Sequence, residues 1–173
     1  MLNNAKDLFD QACKLDQGSG KALEIYKKIV ALLCHQPDIL SSSELRILII
    51  SAEKVFLYSG KHDIQDSTYI ASLCELFLCQ SSNDPQICEI YVFMLEFSHQ
   101  YEKSWYFLQS ILSHHETKKV ALNFLSSYTY CAEGLQNIKK CIEYKEELIA
   151  LTTNEEEQEK LQLELQTMLD MLK

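Results

Sequence analysis

A chain of 173 residues with four glycines, two prolines and a formal net charge of −9 is long enough to bury a hydrophobic core without disulfide or metal staples. So few turn-formers beside abundant Leu, Ile, Glu, Lys and Gln leave little material for an all-β fold and predict helices. The charge, with Arg46 as the only arginine, disfavours nucleic-acid backbones and anionic lipid as partners, because both are bound by clustered basic side chains.

The helices follow from apolar spacing. Ala5, Leu8, Phe9, Ala12 and Leu15 return at three and four, predicting a first helix over 2–15 that ends at the DQGSG turn. Ala22, Ile25, Tyr26, Ile29, Val30 and Leu33 predict a second, with Lys21, Lys27 and Lys28 left for solvent and Pro37 as its stop. Ser41 and Glu44 have capping-box spacing, so a third helix begins there and runs to Tyr58; its apolar stretch RILII predicts a central, buried element, with strand as the alternative over 46–51. A fourth helix starts near Asp66. Asp84 as N-cap with Pro85 at the first helical position opens a fifth, ending near Ser98. The sixth covers Tyr101 to His114, with Tyr101, Ser104, Leu108 and Ile111 inward; the seventh runs from Glu116 to Gly134, and the eighth from Leu135 to Leu151 with Ile138, Ile142, Leu148 and Ile149 inward. A ninth opens at TTNEEE, where Thr153 and Glu156 satisfy the capping-box spacing and the acidic first turn suits the helix dipole.

No apolar run approaches the ~20 residues that span a bilayer, and MLNNAKDLFD offers neither the basic nor the apolar region of a leader. A soluble intracellular protein, cytoplasmic and/or nuclear, is expected. The seven cysteines are odd in number, and Cys13, Cys34, Cys74, Cys88, Cys131 and Cys141 sit among helix-forming apolar residues, where they read as reduced core thiols.

Nine helices joined by short connections predict antiparallel hairpins within a single domain, 1–173. A pattern recurs in the second helix of three pairs. Ala22, Ser104 and Ile138 are followed four residues later by Tyr26, Leu108 and Ile142, and seven later by Ile29, Ile111 and Lys145, of which Lys145 is the weak member. With YEKS at Tyr101 to Ser104, and Gly60 and Gly134 near turns, this resembles the tetratricopeptide type of helical repeat, Ser104 standing where that family uses alanine. The chain departs from the family in its spacings of 43, 39 and 34 between Ala22, Gln65, Ser104 and Ile138, and in lacking the Trp-Leu-Gly-Tyr signature. HEAT-like pairing and a closed bundle stay open. The resemblance implies an all-α right-handed superhelix, or α-solenoid, whose concave face holds a peptide or partner helix, and it implies interaction rather than catalysis.

The candidate chemistry is sparse. His114, His115 and Glu116, with His99 upstream, invite a metal, but consecutive helical positions point about 100° apart and cannot share one ion. Cys74, Cys79 and Cys88 lack zinc spacing, and a redox pair would need cationic neighbours. There is no nucleophile elbow or phosphate loop, and Glu143 and Glu147 read as solvated. No catalytic, cofactor or metal residue is assigned. For partner binding the candidates are Trp105 and Tyr106, with Tyr128 and Tyr130 one helix on, because Trp and Tyr dominate interface energetics. The amphipathic segment 153–173 adds Leu161, Leu165, Met168 and Leu172, either capping the repeats or binding a partner or second copy. The expectation is a non-enzymatic adaptor, scaffold or small subunit binding a protein partner. The alternatives are a helical enzyme with a cryptic site and an RNA-associated repeat using Lys118, Lys119, Lys139 and Lys140.

Overall fold

The computed structural model describes residues 2–81, 84–112 and 118–172, the side chains of 2–3, 111–112 and 118–124 excepted. All its regular secondary structure among these residues is helical. The helices are α1 (Leu2–Cys13), α2 (Gly20–Leu33), α3 (Ser42–Tyr58), α4 (Ile64–Gln80), α5 (Pro85–Phe97), α6 (Tyr101–Leu112), α7 (Lys118–Gly134), α8 (Ile138–Leu151) and α9 (Glu155–Met171). A short 3-10 turn, Pro37–Ile39, follows α2, so Pro37 does end that helix.

Side-chain caps set several boundaries. Ser41 and Glu44 form the expected capping box of α3, and Asp84 accepts from the backbone N–H of Gln86 and Ile87 above Pro85. Three starts differ from expectation. Asp63 caps α4 by accepting from Gln65 N, so that helix begins two residues before Asp66. At α9 the cap is Asn154, accepting from Glu157 N, rather than Thr153 with Glu156; a short amide acceptor one residue on reaches the orphan donor equally well. The eighth helix begins at Ile138 instead of Leu135, because Leu135, Gln136 and Asn137 turn the chain. Gln136 N donates to Glu133 O and Asn137 N to Ala132 O, the paired bonds of a Schellman ending with Gln136 left-handed at φ 55°. Asn137 then caps α8.

The chain separates into two compact units, 1–98 and 99–173. In the first, α3 is the centre, meeting α1, α2, α4 and α5. RILII lies within the helix, which removes the strand alternative, and Leu45, Leu48, Ile49, Ile50 and Phe56 are buried. Arg46 ties α3 to the start of α5 through Asp84, Nε to Oδ2 at 2.6 Å, and through Gln86. In the second, α6 packs on α7, α7 on α8 and α8 on α9.

A left-handed residue stands two positions beyond the end of α3, α5 and α7: Gly60, His99 and Gln136, spaced 39 and 37 residues apart. At Gln136 this conformation satisfies the last carbonyls of α7.

All seven cysteines are free thiols. Cys74, Cys88, Cys131 and Cys141 are buried as expected, but Cys13 is exposed and Cys34 half-buried, since each lies at the C-terminal end of a helix where the apolar face has run out. Ile138, expected inward, is 41% exposed in the first turn of α8.

Candidate functional site

The candidate partner residues lie in the second unit. Ser104 and Leu108 are fully buried, which fixes the inward side of α6. Trp105, one position round, is half-buried in an aromatic group that draws on three helices: its ring meets Tyr128 of α7 edge-on at 5.3 Å and Tyr144 of α8 at 5.6 Å, while Tyr128 and Tyr144 stack at 4.8 Å. Such pairs add roughly 0.5–1.5 kcal/mol each beyond area burial. Burial raises the Tyr128 phenol, and Tyr144 beside it adds to the effect. Lys140 lies 5.6 Å over the Tyr144 ring and pairs with Glu143 at 2.6 Å. Tyr106 turns away and is 63% exposed. The sequence pairing of Trp105 with Tyr106 therefore splits, one residue packing α6 against its neighbours and the other facing solvent.

The last helix divides in the same way. Leu161, Leu165 and Met168 are half-buried, and Met168 Sδ lies 3.5 Å from Cys141 Sγ, so this stripe docks α9 on α8. Leu172 is 52% exposed, and it joins Leu163 at 71% and Met171 at 73% on the outside. No described residue of α9 is fully buried.

Between α7, α8 and α9 lies Lys145, the weak member of the repeat pattern. It is 3% exposed, with Nζ 2.8 Å from Glu164 Oε2 and 3.5 Å from Glu133 Oε1. Burial alone would lower its pKa, but the Glu164 hydrogen bond and the two carboxylates outweigh that and hold it above the ordinary lysine value. Cys141, one turn back, is pushed up to about 11, first by burial and then by Glu133. Sequence reading missed this group. The one available signal was a lysine at a position where the other helices carry isoleucine.

Among the described residues no group of three His, Cys, Asp or Glu side chains is placed to hold a metal. His114, His115 and Glu116 lie outside the described residues, as do the side chains of Lys118 and Lys119, while Lys139 is exposed. The Cys74 thiol is raised strongly by burial, with Cys88 and Glu75 adding to it, which is the reverse of an activated thiol. Among the described residues no helix is long and apolar enough to cross a membrane. Compared with protein-family models, with curated proteins and with solved structures, the chain matches none.

Proposed function

We propose that the chain is a non-enzymatic protein–protein interaction module, an adaptor or small subunit that binds a partner helix through the outer face of α9, inside the cell. The observation that carries this is Leu163 and Met171, each more than 70% exposed and about 80° apart round α9, while the stripe of Leu161, Leu165 and Met168 rests on α8. Large apolar side chains grouped on the surface mark interaction sites, whereas single ones do not. Tyr106 on α6 is the accessory candidate. In this reading the hairpins stack as a tetratricopeptide-like right-handed superhelix. The left-handed turns after α3, α5 and α7, and the contacts of α3 with both α1 and α5, support that stacking.

The test is photo-crosslinking in cells from a benzoylphenylalanine placed at position 163, with exposed position 162, about 100° round the helix from it, as control. A discrete crosslinked protein from 163, lost when Met171→Ser and Leu172→Ser are added, is the expected result. A second copy of this chain as the crosslinked species makes the module a homodimer. Absence of any product specific to 163, in a protein that sediments as a monomer, refutes the reading.

A further inference from the structure

We infer that the groove between α2, α3 and α4 is a second binding site in the first unit, taking a peptide segment that carries large apolar side chains beside a lysine or arginine. The inference rests on the interaction-module reading and adds to it a site and a partner chemistry. The groove has a volume of about 430 Å³, within the size range of pre-formed ligand clefts. Val30, Ala52, Phe56 and Ile70 make its walls apolar, and Phe56 and Ile70 are each only 3% exposed. They form a fixed floor and not a row of mobile side chains.

The only charged side chain that lines the groove among the described residues is acidic. Asp66, in the first turn of α4, lines the groove with an exposed carboxylate that makes no ion pair among the described residues. Cys34 and Ser59 line it as well, and they are the C-cap residues of α2 and α3. A helix C-terminus presents unpaired carbonyls equivalent to about half a negative charge, and α2 and α3 each bring such an end to the groove, at opposite ends of it, because Gly18 before α2 lies against Tyr58 at the end of α3. No basic residue lines the groove among the described residues; Lys61, beyond α3, is exposed and outside it. Residues 1–98 carry eight basic and thirteen acidic side chains, a balance of −5, so the wider field has the same sign.

An apolar floor under a negative rim discriminates by charge. Hydrophobic burial supplies affinity to any apolar group of suitable shape, while the rim favours a ligand whose apolar part ends in a cation and disfavours one ending in a carboxylate or phosphate. Tyr69, 38% exposed, also lines the groove and adds an aromatic surface of the kind that takes amphipathic side chains.

The experiment uses two fluorescein-labelled twelve-residue peptides, each with leucine and phenylalanine at helical spacing, one followed by lysine and its twin by glutamate. Anisotropy titrations against the full chain are expected to show the lysine peptide binding at least tenfold more tightly. Val55→Trp, at a half-buried wall position, fills the groove and reduces that affinity by tenfold or more, with circular dichroism as the folding control. Asp66→Lys, at an exposed position that leaves the fold intact, reverses the preference between the twins. Equal binding of the two peptides, no binding of either, or an unchanged preference in Asp66→Lys overturns the inference. Crosslinking from position 163 does not involve this groove, so failure here leaves the α9 reading standing, and failure there leaves this one.

Discussion

Gly134 ends α7 against the ring of Tyr101, and its substitution by alanine should change sign with what stands at position 101. A Cβ built on Gly134 lies 2.6 Å from both Cγ and Cε2 of Tyr101, with Cδ2 nearest of all. Carbon atoms in contact sit ~3.5–4.0 Å apart, so the ring must retreat by about 1 Å. Retreat disturbs the hydrogen bond between the Tyr101 hydroxyl and His99 Nδ1 at 2.6 Å, and the edge-on packing of Tyr101 with Tyr130 at 5.7 Å. Overpacking of this kind costs about 1–3 kcal/mol, against which alanine gains up to about 1 kcal/mol of helix propensity over glycine. Gly134→Ala is therefore expected to destabilise by about 1–2 kcal/mol as the difference of those two effects. In a Tyr101→Ala background the clash is gone, and the same substitution should stabilise by up to about 1 kcal/mol. The coupling between the two sites is then about 2–3 kcal/mol, at the upper end of what contacting residues show. Urea unfolding read by tryptophan fluorescence measures this cleanly, because Trp105 is the only tryptophan and sits in the same unit. Gly134→Ala stabilising in both backgrounds, or destabilising equally in both, refutes the steric account.

Three further outcomes follow from single sites. Ser104 is fully buried with its hydroxyl unpartnered among the described residues, so Ser104→Ala should raise stability by about 1 kcal/mol through relief of the desolvation penalty; a loss in urea midpoint would show that the hydroxyl is satisfied. Lys145→Met replaces a buried ion-paired cation with an apolar side chain of similar length and should be near neutral at pH 7, whereas Lys145→Ala leaves a void beside Cys141 and Met168 and should cost about 2–3 kcal/mol. Because the folded pKa of Lys145 is raised above its ordinary 10.5, its contribution is full below that value and is lost as pH climbs through the higher one; an alkaline titration of stability should therefore fall later in Lys145→Met than in the parent. Asp84→Ala removes a helix cap and the partner of Arg46 and should cost about 1–2 kcal/mol. Burial pushes the Asp84 carboxyl up, but the Arg46 hydrogen bond and the helix N–H groups outweigh it and leave the pKa lowered. Its stabilisation is thus present above the ordinary 3.8 and disappears as pH falls through the lower folded value, so the deficit of Asp84→Ala should vanish in acid.

Helix identity, the capping box at Ser41 and Glu44 and the Asp84–Pro85 start were all legible because their causes are local. A side-chain acceptor within three residues of an orphan N–H, or apolar residues at 3.6-residue spacing, needs no knowledge of the rest of the chain. The buried stretch around Leu48, Ile49 and Ile50 was legible for the same reason, being apolar on nearly every side. The cap at Asn154 was misplaced by one residue because Thr153 and Asn154 are both competent acceptors, and only backbone geometry selects between them.

The candidate site divides along that line. Sequence alone determined that the sixth helix carries adjacent aromatics and that the last helix is apolar over more than one stripe, since both are matters of residue type and periodicity. It could not decide which stripe is covered, because burial depends on the neighbour. Trp105 is taken into the group with Tyr128 and Tyr144 while Tyr106 stays outside, and Leu161, Leu165 and Met168 rest on α8 while Leu163 and Met171 stay largely exposed. Lys145 is the sharpest case. A lysine is assigned to solvent by its type, and only tertiary structure could bury it, by bringing Glu133 and Glu164 from two other helices to within ion-pairing distance of its ammonium.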